Sequence, residues 1–117
     1  MVQVRFSLRA LQNIADILDW SGDEFGLAAR ARYERLIRQA VDDLAENPER
    51  FGTKAAKGFE PIRIFHLRHS RLSGSASADR VRSPRHLIAY RPVGPDIIEI
   101  VCVIHDAMDL KRYLPKP

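Results

Sequence analysis

The chain has 117 residues, 45% of them hydrophobic and 29% charged, with a formal net charge of +4 and one cysteine. That length supports one domain around a single core, one cysteine excludes an internal disulfide, and no apolar run approaches the ~20 residues that span a bilayer. The opening Met1-Val2-Gln3-Val4-Arg5-Phe6 has neither the charged segment nor the long apolar core of a secretory leader, so a cytoplasmic protein is expected.

Val2, Val4 and Phe6 alternate with Gln3 and Arg5, which predicts a half-buried strand. Ser7 then offers a side-chain oxygen to cap a helix, whose apolar positions are Leu8, Leu11, Ile14, Ala15 and Leu18. Trp20 and Ser21-Gly22 are expected to close this helix, with Trp20 covering one end of the core. Ser21 and Glu24 have the spacing of a capping box for a second helix. In that helix Ala29, Tyr33, Leu36, Ile37, Ala40, Val41 and Leu44 form one stripe. Asn47-Pro48 stops it, because the residue before a proline avoids helical geometry. So short a break between helices predicts an antiparallel hairpin with its apolar side on a sheet.

Glu49 to Glu60 reads as a connection, and Pro61 to His69 as a strand with one face inward and a basic face outward. Ser70 to Pro84 is rich in small residues and lacks the apolar area to order itself, so a mobile basic loop is expected over about 70–85. Leu87–Tyr90 and Ile97–Ile104 read as two strands joined by a turn at Arg91–Asp96, the second of them central. Cys102 lies in that second strand, where a buried small hydrophobe is expected. Asp106 to Leu114 predicts a short helix or turn ended by Pro115.

This order predicts one α+β domain over residues 1–117: an N-terminal strand, an α-helical hairpin, a mainly antiparallel sheet of about three further strands, and a short C-terminal helix. The first strand is expected at the sheet edge or parallel to the last strand. Charge is distributed unevenly along this layout. Residues 1–49 hold six basic and nine acidic side chains, residues 50–91 ten and two, and residues 92–117 three and four. The middle segment is electropositive and suits an acidic protein, RNA or DNA.

The run Ile100-Val101-Cys102-Val103-Ile104-His105, followed by Asp106-Ala107-Met108-Asp109 and Leu114, resembles the end of ParE-type toxins of the RelE/ParE toxin–antitoxin superfamily. The Ile62-Arg63 strand start, Leu87-Ile88-Ala89-Tyr90-Arg91, and Asn47-Pro48 after the long helix match the same layout. The resemblance covers nearly the whole chain; the family's strand connection is much tighter than Ser70–Pro84. It implies a toxin held inactive by a cognate ParD-like antitoxin in a hetero-oligomer, with DNA gyrase as the target of ParE toxins. RelE toxins, on the same fold, are ribosome-dependent ribonucleases.

For the ribonuclease alternative, groups that move protons and neutralise a phosphate are required, and Arg63, His66, Tyr90 and His105 are the candidates. Each also has a structural reading: Arg63 pairs with a carboxylate, Tyr90 packs on the hairpin, and His105 fixes the terminal turn. No metal-ligand cluster, Gly-rich phosphate loop or nucleophile–base pair is present in the sequence, so no cofactor or metal is expected and binding is preferred over catalysis. For the antitoxin, Arg63, Arg68 and Arg91 are the candidate partners of acidic residues, with Leu36 and Tyr33 on the hairpin as apolar contacts. Seven arginines lie between positions 63 and 91, but aromatic support there is thin, so a solvated loop is preferred over a direct nucleic-acid contact.

Overall fold

The computed structural model describes residues 1–71 and 80–115. Strand β1 (Gln3–Phe6) leads into helices α1 (Leu8–Phe25) and α2 (Leu27–Glu46), followed by β2 (Thr53–Ala55), β3 (Arg63–His66), β4 (His86–Gly94), β5 (Ile97–His105) and α3 (Leu110–Tyr113). A single 3-10 turn spans Leu67–Ser70. The five strands form one sheet in the order β1-β5-β4-β3-β2. β1 lies at an edge and parallel to β5, while the other pairs are antiparallel. The predicted α+β architecture is the observed one.

Ser7 caps α1 as expected: its Oγ accepts from the Ala10 N–H at 3.0 Å and donates to the Val101 carbonyl at 2.6 Å. The same hydroxyl thus starts the helix and ties it to β5. The end of α1 differs from expectation. The helix runs through Ser21-Gly22 to Phe25, and the break falls at Gly26, whose φ of 92° serves as C-cap of α1 and N-cap of α2. Only a residue without a Cβ adopts that conformation readily, which decides where the hairpin turns. No capping box forms: α2 has no side-chain cap, and Ser21 is buried inside α1. Trp20 is 53% exposed and lies edge-on to Phe25 instead of closing the core.

The sheet buries both faces. On the helix side Leu18, Leu36, Ile37, Ala40 and Leu44 pack against Phe65, Ile88, Tyr90, Ile98, Ile100 and Val103. On the other side Ile64, Ala89, Val101, Cys102 and Ile104 are covered by Ala56, Ile62 and Leu114. The single inward face expected for the strand at 61–69 is therefore corrected: neighbouring Ile64 and Phe65 are both buried, on opposite faces. That strand is also shorter, because its end winds into the 3-10 turn. β4 continues through Pro92 to Gly94, with shifts in register between Ala89 and Tyr90 and between Pro92 and Gly94, places where a strand tolerates a missing N–H donor.

Most of the expected loop over 70–85 falls on residues 72–79, outside the described residues. Its flanks are anchored. Buried Ser70 donates to Asp43 on α2 at 2.5 Å, and Arg71 Nε donates to the Val81 carbonyl at 2.8 Å. Among the described residues, no helix is long and apolar enough to cross a membrane.

Candidate functional site

Strand register decides which side chains meet. Arg63 stands opposite Tyr90, Phe65 opposite Ile88, and His66 opposite Leu87. Directly opposed residues share a face and successive residues alternate. Tyr90 and Ile88 lie on the helix side, so Arg63 does too, whereas His66 is on the reverse face. His86 is paired with His105, and its contact with Tyr33 of α2 places it on the helix side. The four candidates for ribonuclease chemistry thus divide. Arg63 and Tyr90 sit toward one end of the β3–β4 pair, His105 lies at the end of β5, and His66 lies on the opposite face.

Arg63 and Tyr90 are engaged in structure. Arg63 Nη2 donates to Thr53 Oγ1 at 2.9 Å, across the β2–β3 pair, and among the described residues it forms no ion pair. The carboxylate partner expected for it is not supplied by the described residues of this chain. The Tyr90 hydroxyl donates to the Pro48 carbonyl, and the residue is 1% exposed. Burial holds its phenol above the ordinary range. It packs beneath the hairpin, as its structural reading requires, and presents no ring face for a base.

At the other end, Asp106 organises a polar cluster. It lies just past β5, and its Oδ2 is 3.0 Å from His66 Nε2 while its Oδ1 is 3.2 Å from Arg85 Nη2. The His66 hydrogen bond, assisted by the nearby charge of Arg85, lowers its carboxyl pKa. The backbone supplies the tautomers. Arg68 N–H donates to His66 Nδ1 at 3.1 Å, leaving His66 to donate from Nε2. Ala107 N–H donates to His105 Nδ1 at 3.0 Å, so His105 fixes the turn after β5. With Nδ1 so committed, the 3.5 Å approach of His105 to Asp106 is a near contact without a shared proton.

Tyr33 and His86 complete the cluster. Arg85 N–H donates to the Tyr33 hydroxyl at 3.2 Å, and that hydroxyl shares a hydrogen bond of 2.6 Å with His86 Nδ1. Burial pushes the Tyr33 phenol up to about 12. It pulls the His86 imidazole down to about 4, with the neighbouring His105 acting in the same direction. His86 is therefore neutral at pH 7. In His66 and His105 Nδ1 already accepts a backbone hydrogen bond, and His86 Nδ1 is engaged with Tyr33, so none offers that nitrogen as a free general base.

Beside this cluster a cavity of about 580 Å³ opens between the hairpin and the strand ends. Ile17, Trp20, Phe25 and Tyr33 supply apolar walls, and Arg32, Arg82 and Arg85 supply charge. Of the residues proposed for a partner, Tyr33 lines this cavity. Leu36 is 7% exposed in the core, Arg68 is exposed on the 3-10 turn after β3, and Arg91 pairs with Glu99 at 3.0 Å. The sequence reading missed Arg85 and Asp106 as a pair; they are 21 positions apart, and only the β4–β5 hairpin brings them together. Among the described residues no three His, Cys, Asp or Glu side chains are grouped to hold a metal ion.

Comparison with known proteins agrees with this fold. Two curated relatives from Mycobacterium tuberculosis, strains CDC 1551 / Oshkosh and ATCC 25618 / H37Rv, each named Toxin ParE1, are 28% identical over 105 residues. The match covers 90% of this chain and 90% of each relative. The profile of the ParE toxin of the type II toxin–antitoxin system parDE matches residues 4–110. The chain therefore belongs to the ParE toxin family of type II toxin–antitoxin systems.

Proposed function

We propose that this toxin acts by binding and inhibiting DNA gyrase, and that a ParD-like antitoxin neutralises it by occupying the hairpin side of the molecule. The observation that carries the binding reading is the dispersal of Arg63, His66, Tyr90 and His105 over two faces and two ends of the sheet. A ribonuclease must aim such groups at one phosphodiester. Here each is held by a structural hydrogen bond.

The 580 Å³ cavity is the proposed antitoxin contact. An apolar anchor residue fits among Ile17, Trp20 and Phe25, while acidic neighbours meet Arg32, Arg82 and Arg85. Tyr33 forms part of the wall, whereas Leu36 supports it from within the core. Exposed Arg68, together with Arg63 and Arg91, extends the positive field around the protein and speeds encounter with an acidic partner.

Purified toxin assayed in parallel against gyrase supercoiling and ribosome-bound mRNA tests the target. Inhibited supercoiling with intact mRNA is expected. Cleaved mRNA with normal supercoiling overturns the reading in favour of the ribonuclease alternative. Normal supercoiling with intact mRNA removes gyrase as the target.

A further inference from the structure

A second pair of concavities lies around His66, on the far side of the Asp106 cluster from the hairpin cavity. One, of about 460 Å³, is lined by Arg68, Arg71, Arg82 and Arg85, with Asp106 at its margin. The other, of about 330 Å³, adds Lys54 and Thr53. They share His66, Arg68 and His69, so they form one continuous groove. Among the described residues that line it, five carry fixed positive charge and one, Asp106, is acidic. That carboxylate is already held by His66 and Arg85. Lys54, Arg68 and Arg82 make no ion pair among the described residues.

An aromatic surface stands beside the groove. His69 stacks on Phe65 with centroids 5.6 Å apart, and Phe51 lies edge-on to His69 at 6.1 Å. Phe51 is 91% exposed. The loop holds this arrangement tightly: a Cβ on Gly52 would come within 2.6 Å of the His69 ring. Burial and the neighbouring Arg68 lower the His69 pKa, which favours an uncharged ring.

We infer that this groove binds single-stranded nucleic acid, with phosphates following Lys54, Arg68, Arg71, Arg82 and Arg85 and a base resting on Phe51. Two observations favour this over an acidic peptide. The groove's hydrocarbon lining is Pro84, Ile64 and Leu87, the first two of them buried, so it offers little apolar surface to a peptide's anchor residue, unlike the hairpin cavity with its exposed Trp20 and Phe25. The exposed Phe51 ring suits the flat face of a base, and cationic grooves flanked by aromatic rings are the physical basis of sequence-tolerant single-strand binding. The site holds and does not cut, because its histidines are committed to structure or stacked. The inference is independent of the gyrase reading.

The test is fluorescence anisotropy of the whole chain with labelled 12-nucleotide single-stranded DNA and RNA across a salt series. Binding is expected to weaken with salt at a slope of about −0.7 per phosphate neutralised. The Arg68→Ala/Arg82→Ala double variant is expected to weaken binding at least tenfold and to flatten the slope by about 1.4. Phe51→Ala is expected to weaken binding about fivefold or more without changing the slope. The matched control Arg5→Ala/Arg38→Ala removes equal charge from the far sheet edge and α2 and is expected to have under a threefold effect. Circular dichroism and thermal melting confirm that each variant is folded. Equal loss in the control pair, no response to Phe51→Ala, or competition by a polyglutamate peptide as effective as by oligonucleotide overturns the proposal. Retention by DNA alone or RNA alone identifies which nucleic acid it takes, and shortening of the oligonucleotide contradicts a holding site.

Discussion

His86 and His105 stand opposite each other on β4 and β5, their rings edge-on with centroids 5.3 Å apart. Their proximity adds to burial in disfavouring charge on His86, whose Nδ1 is hydrogen-bonded to the Tyr33 hydroxyl. The surroundings of His86 also include Asp106, which favours its charge, and His66, which opposes it.

A pH dependence follows. His86 titrates at about 4 in the folded chain against an ordinary value of 6.5. Between those values the unfolded chain binds the extra proton, so stability rises as pH increases through this window and levels off above it. The contribution is on the order of 2 kcal/mol. Urea denaturation at pH 4.5 and 7.5, with an NMR titration of the His86 ring, checks it; an imidazole midpoint above 6 contradicts the account. Asp106 acts at lower pH, where its stabilising charge is lost as pH falls through its depressed folded pKa.

Ser7→Ala removes both the cap at Ala10 and the bond to the Val101 carbonyl. A loss of about 1–3 kcal/mol is expected from the cap and the partly buried acceptor together. The urea midpoint measures it. Ser7→Thr, which keeps the hydroxyl, should recover most of the loss.

Gly52→Ala meets two obstacles. The residue has a φ of 97°, and the new methyl would lie 2.6 Å from His69 Cγ. Destabilisation by more than about 1 kcal/mol is expected. Gly58→Ala has a similar φ of 88° but open space, so it should cost less. Thermal unfolding of the two variants separates steric conflict from backbone strain.

Tyr90→Phe keeps the packed ring and removes the bond to Pro48. It should lower stability by about 1 kcal/mol. At equal concentrations of folded protein it should leave growth inhibition unchanged, as measured by controlled expression with quantified soluble toxin. A large loss of toxicity in a stable variant would restore Tyr90 to an active site.

Where the sequence and the structure agree, the signal was periodic or chemically directional. The stripe from Tyr33 to Leu44 reads as a helix because its spacing repeats, and Ser7 reads as a cap because a hydroxyl before an apolar helix has few other uses. β2 escaped notice because three residues, Thr53–Ala55, are too few to display a period; their pairing with β3 is a tertiary choice. The hairpin break was misplaced because Ser21-Gly22 and Gly26 both carry stop signals, and packing buries the first of them. The site was harder still. His105 and His66 were visible as residue types, but their assignment to opposite faces depends on register, and the Arg85–Asp106 pair depends on a long-range hairpin.

The pairing of β1 with β5 also sets an order of assembly. Gln3–Phe6 finds its neighbour in Ile97–Ile100, nearly the full length of the chain away. Residues 3–6 must therefore wait for residues 97–100 before the sheet can close, a long loop closure that slows folding. The complete sheet cannot exist on a chain that has yet to present residues 97–100. Every surface that depends on the β1–β5 pairing, the hairpin tied to β5 by Ser7 among them, therefore forms late and together.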